Sequence, residues 1–287
     1  MSAARPFRAG LVQLRSGTDM SRNAEAACRL VRQACELGAE LVVTPEMTNI
    51  IEARREALLG KVTEEAADPV VAALRDLAVE RAIHIVIGSV ALKSGDRLVN
   101  RSLLVAPDGA IAQRYDKIHM FDVDLDGGES YRESRTYRPG ARAVIAALPW
   151  GKLGLTVCYD VRFPALYRCL AKAGADFVAV PSAFTRQTGA AHWQVLLQAR
   201  AIETSCFVLA PAQGGRHESG RETYGHSLAV APWGEVVAEV TGDAPGVAIC
   251  DIDPAAVATA RRRIPALSHD RPFDRPKAEV TAAGLAS

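Results

Sequence analysis

The sequence predicts an α/β fold made of two similar sheets packed face to face, with helices on the outside. Three observations carry this. Apolar runs of strand length alternate with segments of helical periodicity along most of the 287 residues. The stretch "ELGAELVVTPEM" (36–47) recurs as "KAGADFVAVPSA" (172–183), offset by 136 residues. "RSLLVAPDGAIA" (101–112) recurs in the same order as "HSLAVAPWGEVV" (226–237), offset by 125. Each half therefore carries helix, glycine, buried strand and proline, then a strand, a Pro-x-Gly turn and another strand.

Taken in order, residues 7–14 read as a strand. Over 23–37, Ala24, Ala27, Cys28, Val31 and Cys35 share one helical face, and Gly38 ends the helix. Residues 40–45 are a strand. Asp68-Pro69 starts a helix, with Asp as N-cap, Pro in the first turn and Val70, Leu74, Leu77 and Ala78 as the apolar face. "AIHIVIGSVAL" and "RSLLVAP" follow as strands. A strand over 110–116 ends at Lys117, and one over 153–157 ends at Cys158. "FPALYRCLAKAG" is a helix with Pro164 early and Gly174 at its stop. "HWQVLLQARAIETS" aligns Trp193, Leu197 and Ala201 on one helical face. "DPAAVATARRR" repeats the Asp-Pro start, and its run Arg261–Arg263 suits a helix C-terminus better than a phosphate site. From Ile264 the chain is irregular, with Pro265, Pro272 and Pro276. The expected organisation is one domain over 1–275 and a tail over 276–287, packed on the body or on a second subunit.

Composition excludes several function classes. Lysine and arginine number 34 against 33 acidic residues, a net charge of +1, which argues against nucleic acid or a membrane surface as partner. The six cysteines form no C-x-x-C pair, and the histidines have no zinc spacing, so a reducing compartment and no metal are expected. The N-terminus lacks the apolar core of a signal peptide and no apolar run approaches a membrane span. The cytoplasm is the expected location.

The chemistry stands at strand ends, where α/β sheets place their sites. Glu46 follows strand 40–45, Lys117 follows strand 110–116 and Cys158 follows strand 153–157. The echo of the first places Ser182 at the position matching Glu46, so the halves share a scaffold and not the carboxylate. Taken singly, Cys158 reads as packing, Glu46 as a turn carboxylate and Lys117 as a surface lysine. Together they form a set that can attack an amide without histidine. A carboxylate raised in pKa by a closed pocket takes the thiol proton. An ammonium and a backbone N–H, that of Tyr159, hold the oxyanion. No cofactor is needed. Arg162 and Arg186, the latter in the loop after Ser182, are candidates for a substrate carboxylate, and Tyr131, Phe184 and Thr185 are candidate pocket walls. His119 and His192 read as structural, and Cys28, Cys35, Cys169, Cys206 and Cys250 as packing.

"LVVTPEM", "RYDKIHMFDVD" and "GLTVCYDVRFP" resemble the three signature segments of the carbon–nitrogen hydrolase (nitrilase) superfamily, and the likeness runs to about residue 275. The resemblance implies a four-layer α-β-β-α sandwich, a Glu46–Lys117–Cys158 triad, and a second glutamate, matched by Glu133 within "SYRES", with nearby Glu129 as the competing assignment. "KIHMFDVDLDGGESYRES", "PSAFTRQTGAAHWQVLLQARAIET" and "YGHSLAVAPWGEV" are most similar to the Nit branch. "ARAIETSCFVLAPAQGGRHESGRETYGHS" and "RRRIPALSHDRP" resemble its deaminated-glutathione amidases more than its ω-amidases, which take small monoamides such as α-ketoglutaramate. A homodimer and a small anionic amide substrate are implied. Met120 stands where the branch more often has leucine. "VDLDGG" departs from a common Pro-Gly turn and puts the pocket rim, not the chemistry, in question.

Overall fold

The computed structural model describes residues 5–274. The first half runs β1 (Phe7–Gln13), α1 (Met20–Glu36), β2 (Leu41–Val43), α2 (Arg55–Lys61), α3 (Pro69–Arg81), β3 (His84–Ser94), β4 (Arg97–Val105) and β5 (Ile111–Asp116). A small hairpin, β6 (Asp122–Asp124) and β7 (Ser130–Arg132), follows. The second half runs β8 (Val144–Leu148), β9 (Gly151–Leu155), α4 (Pro164–Lys172), β10 (Phe177–Ala179), α5 (Arg186–Thr204) and β11 (Phe207–Ala210). A second hairpin, β12 (Gly214–Arg216) and β13 (Glu222–Tyr224), precedes β14 (Leu228–Val230), β15 (Val236–Glu239), β16 (Gly246–Ile252) and α6 (Ala255–Arg263).

The strands form two six-stranded sheets, ordered β16-β1-β2-β3-β4-β5 and β8-β9-β10-β11-β14-β15. Written this way the orders match position for position, and the repeated segments fall on β2 and β10 and on the pairs β4–β5 and β14–β15. In both sheets the first pair is antiparallel and the next two are parallel. The echo is therefore a structural repeat, and β16 ties the halves by crossing back to pair with β1.

Side chains alternate between faces as a pleat requires. Phe7, Ala9 and Leu11 of β1, Leu41 and Val43 of β2, Val86 of β3 and Leu104 of β4 join the core shared with Leu153, Leu155, Phe177 and Ala179 of the other sheet. Val12, Val42, Ile85, Ile87, Leu103 and Val105 face the other way, onto α1 and α3. The Phe7 ring stacks on Trp150 at 4.3 Å and meets Phe177 edge-on at 5.4 Å. With α5 against β11 and β14 and Leu170 of α4 against Gly154 of β9, the layers are α-β-β-α, as expected.

Local signals held in detail. Asp68 accepts from the Val70 and Val71 N–H groups, each at 2.9 Å, at the start of α3, and Gly38 adopts φ +87° after α1. Arg261–Arg263 occupy the last turn of α6. Two readings are corrected. Thr185 caps α5, so Arg186 begins that helix and is not in a loop. Cys169 is exposed on α4, whereas Cys28, Cys206 and Cys250 are buried. The helix α2 and both small hairpins have no counterpart in the expectation, being short and largely polar. Near its end the described chain packs on the body, Asp270 pairing with Arg168 and Lys172. The expected boundary at 275, Pro276 and the tail 276–287 lie outside the described residues. Among the described residues no helix is long and apolar enough to cross a membrane.

Gly88 sits in β3 where the register with β4 shifts, a usual place for glycine in a strand. A Cβ there would lie 1.8 Å from the Thr44 carbonyl oxygen, 2.5 Å from Pro181 Cβ and 2.6 Å from the Pro45 carbonyl oxygen. We predict that Gly88→Ala destabilises the fold by about 3 kcal/mol, read as the shift of a urea-unfolding midpoint. An unchanged midpoint would show that these segments can move apart freely.

Candidate active site

Glu46 lies beyond β2 on a loop held by Ser89 and Gln213. The Met47 N–H donates to Ser89 Oγ (3.0 Å), the Thr48 N–H to the Ser89 carbonyl (2.8 Å), and Gln213 Nε2 to the Glu46 carbonyl (3.0 Å). Its carboxylate is buried, 4% exposed. Oε1 accepts from Lys117 Nζ (2.9 Å) and Asn100 Nδ2 (3.0 Å), and Oε2 accepts from the Ala183 N–H (2.9 Å).

Lys117 lies just after β5, its N–H bound to the Asn100 carbonyl at 2.9 Å. Its ammonium also donates to Glu133, 3.0 Å to Oε1 and 2.8 Å to Oε2. Glu133 further accepts from Asn100 Nδ2 (3.2 Å) and the Phe121 N–H (2.7 Å). Glu129 stays outside this cluster and accepts from the Tyr131 hydroxyl at 3.1 Å on the rim. The geometry thus separates the two glutamates that the sequence left open.

Cys158 lies three residues past β9, at the start of a short 3-10 turn over Cys158–Arg162. Its φ of +49° is in the left-handed region, which costs a non-glycine residue roughly 1–2 kcal/mol. Two contacts hold it there. The Cys158 N–H donates to the Pro181 carbonyl at 2.9 Å. Buried Asp160 accepts from the Val157 N–H (2.8 Å) and Tyr115 hydroxyl (2.7 Å) on one oxygen, and from the His119 N–H (3.1 Å) on the other. His119 Nδ1 also meets Asp160 at 2.7 Å, and its ring stacks on Phe163 at 3.5 Å. Tyr115 and His119 flank Lys117, so Asp160 fastens the cysteine segment to the lysine segment. His119 is bound up in this fastening, as its structural reading expects.

Charge sets the protonation states. Burial pushes the Glu46 carboxyl up, but Lys117, with help from Arg221 and the Cys158 thiol, outweighs it and holds the group below the usual carboxylate range. This reverses the expectation that the pocket raises it. Burial pulls the Lys117 ammonium down, and Glu133 and Glu46 overcome this and hold it well above the ordinary lysine value. Burial and the Glu46 charge push the Cys158 thiol up, against the pull of Lys117 and the Ala183 N–H. At neutral pH the resting site is a carboxylate–ammonium cluster beside a neutral thiol.

These groups form the floor of a cavity of about 480 Å³ whose walls include Tyr131, Phe184, Thr185, Tyr137 and Arg221. The other candidates fall elsewhere. Ser182 is fully buried, its hydroxyl donating to the Val180 carbonyl at 3.0 Å. Arg162 lies over the Phe184 ring at 5.4 Å and meets His192 Nδ1 at 3.3 Å, outside the cavity wall. Arg186 pairs with Asp243 at 3.0 Å. The Tyr159 ring packs edge-on against Phe121 and Phe163, while its N–H has no acceptor among the described residues. Sequence reasoning missed Asn100, which had no signal beyond a polar residue in an apolar strand. It also missed Arg221, which sits in a stretch read only for its resemblance.

The two-layered sheets and a Glu–Lys–Cys floor define a carbon–nitrogen hydrolase, and the carbon-nitrogen hydrolase family profile matches residues 8–262. The chain belongs to this family and is an amide-hydrolysing enzyme. It is 41% identical over 277 residues to a deaminated glutathione amidase of Synechocystis sp., covering 92% of this chain and 98% of that one. It is 39% identical to the human deaminated glutathione amidase, covering 91% and 81%. Among solved structures, the C. elegans NitFhit protein superposes with a TM-score of 0.87 at 34% identity, over 94% of this chain and 66% of that one. A variant of the amidase from Nesterenkonia sp. AN1, carrying acrylamide added to its active-site cysteine, superposes at 0.75 with 25% identity, over 90% and 97%.

The shifts fix how stability follows pH. The lowered carboxyl of Glu46 stabilises the fold fully above its unfolded pKa of about 4.3, and that contribution fades as pH falls through the lower folded value. The raised ammonium of Lys117 contributes fully below its unfolded pKa of about 10.4 and is lost only as pH climbs through its folded value. We predict a broad plateau of stability from weakly acidic to strongly basic pH. Lys117→Met should remove about 3–5 kcal/mol at pH 7, because it strands the buried carboxylate of Glu46 and the partly buried one of Glu133. Unfolding midpoints of both proteins between about pH 3 and 11 measure this, and a variant as stable as the parent at pH 7 contradicts it.

Proposed function

We propose that this enzyme hydrolyses deaminated glutathione to 2-oxoglutarate and Cys-Gly through a thioester on Cys158. The observation that carries the chemistry is the convergence of Glu46, Lys117 and Cys158 on one cavity floor. The substrate reading rests on the activity named for its relatives. A cavity of this size, within the roughly 300–1,000 Å³ that holds drug-sized ligands, supports a substrate larger than a simple monoamide.

In the first step the sulfur attacks the amide carbon while Glu46 takes the thiol proton. That transfer is uphill in the resting site, since the thiol is raised and the carboxyl lowered. Coupling resolves this: negative charge leaves Glu46 only as it arrives on the carbonyl oxygen, held by Lys117 and the Tyr159 N–H. Three carboxylate oxygens lie within bonding distance of Lys117 Nζ, two of them on Glu133, so one Glu133 contact is exchanged for the oxyanion. The intermediate collapses, the amine leaves with the proton from Glu46, and the acyl group stays on sulfur. Water then gives a proton to Glu46 and attacks the thioester, with Glu133 holding Lys117 in place. The released thiol regains that proton. We further propose a reducing, cytoplasmic setting, which suits free thiols such as exposed Cys169, and a homodimer, which light scattering would reveal.

Cys158→Ala and Glu46→Gln are each predicted to lower kcat at least about 10⁴-fold, and Glu133→Gln about 10²-fold. Mass spectrometry of the wild-type enzyme quenched during turnover should find the acyl group on Cys158. Product release is followed with deaminated glutathione and α-ketoglutaramate at equal concentration. A preference of more than about tenfold for the smaller amide reassigns the substrate to the ω-amidase class.

A further inference from the structure

We propose that Arg221 binds the carboxylate on the acyl portion of the substrate, and that the β12–β13 hairpin serves to present it. This rests on the amidase reading above and adds the residue that selects an acidic acyl group.

Four cations line the cavity: Arg55, Lys117, Arg132 and Arg221. Lys117 is committed to Glu46 and Glu133, and Arg132 to Asp124 at 2.7 Å. Arg55 and Arg221 pair with no carboxylate among the described residues. Arg221 is the more built of the two. Its Nη2 donates to the Ala183 carbonyl at 2.6 Å, its guanidinium lies 5.6 Å over the Tyr131 ring, and its Nε is buried without an acceptor. A planar fork anchored on one nitrogen and stacked on an aromatic face is preorganised for a carboxylate.

The hairpin holds the arginine in place. Its turn closes with the His217 N–H on the Arg221 carbonyl (2.8 Å) and the Gly220 N–H on the His217 carbonyl (2.9 Å), with Gly220 at φ +86°. Both His217 ring nitrogens are bound, to the Ser16 carbonyl at 2.8 Å and to Thr223 Oγ1 at 2.7 Å. Burial pushes its pKa down to about 4, so the imidazole is neutral and puts no charge beside the arginine. The Thr18 N–H donates to Glu218 at 2.9 Å. A hairpin so tied to residues 16–18 gives Arg221 a fixed origin.

Position assigns the acyl side. The Ala183 residue whose carbonyl takes Arg221 gives its N–H to Glu46 and pulls on the Cys158 thiol. The guanidinium therefore sits one residue from the reacting groups, where the acyl part stays during both steps, while Arg55 is exposed at the start of α2. The favoured class is the ω-amide of a short dicarboxylate. A neutral amide leaves a partly desolvated guanidinium without its partner and is rejected.

The test compares glutaramate with neutral glutaramide, for the wild type, Arg221→Met, Arg221→Lys and Arg55→Met. The ratio of kcat/KM for the charged over the neutral amide should fall about 50-fold in Arg221→Met and recover in part in Arg221→Lys. Arg55→Met should move it less than about fivefold. In a Cys158→Ala background, Arg221→Met should weaken 2-oxoglutarate binding by a similar factor in calorimetry. Equal losses on both amides would make Arg221 merely structural and overturn the inference. So would equal effects at Arg55 and Arg221, which would mean a diffuse field. A wild-type enzyme inactive on both probes and on deaminated glutathione overturns the amidase reading as well.

Discussion

A single ammonium held between two carboxylates, out of water, sets the terms for the rest of this molecule. Removing such ions from solvent costs several kcal/mol each, and only close, fully bonded geometry offsets it. The structure meets that condition with neutral neighbours. Asn100 donates to both Glu46 and Glu133, and its carbonyl takes the Lys117 N–H. The cluster holds one more negative than positive charge, and the nearby guanidinium of Arg221 favours the Glu46 carboxylate. Three chain segments must then meet to within a fraction of an ångström, which explains the density of fastenings around them. Asp160 joins the lysine and cysteine segments, Gln213 and Ser89 fix the glutamate loop, and Gly88 lets the two layers approach.

The same field decides how the thiol behaves. Cysteine enzymes often hold a preformed thiolate beside a cation. Here Glu46 stands closer in effect than Lys117, and burial works in the same direction, so the sulfur keeps its proton. A neutral, buried thiol is poorly reactive toward oxidants, whose target is the exposed thiolate. In the proposed reaction, nucleophilicity appears only when a substrate oxygen is in place to receive the charge that Glu46 gives up. The site gains selectivity from this arrangement at the cost of needing an accurately placed carbonyl.

The repeat shows how a symmetric scaffold carries an asymmetric site. β2 and β10 occupy matching places, yet Glu46 follows one and Ser182 the other. Ser182 is fully buried and bonded to backbone, so the second copy of that strand end became structure. The first half supplies the carboxylate and the ammonium, the second the sulfur, and the cavity opens between them. Ala183, one residue beyond Ser182, gives the N–H that binds Glu46. The duplicated strand end therefore still contributes through its backbone.

The sequence by itself determined most of the elements, though not α2 or the two small hairpins, and singled out the candidate Glu–Lys–Cys set. Strand alternation and Asp-Pro helix starts are local patterns, written within a few positions and enforced by local sterics and burial, and the internal echo and the three strand-end residues are such local patterns met again further along the chain. Tertiary structure alone decided which glutamate joins Lys117, that Arg162 and Arg186 turn away from the cavity, and that Arg221 faces it. It also decided that Glu46 is held below the carboxylate range instead of above it. These depend on contacts between residues 71 apart for Glu46 and Lys117, and 137 apart for Glu46 and Ala183. A pKa is the balance of desolvation against every nearby charge, and the sequence states which charges exist but not which ones meet.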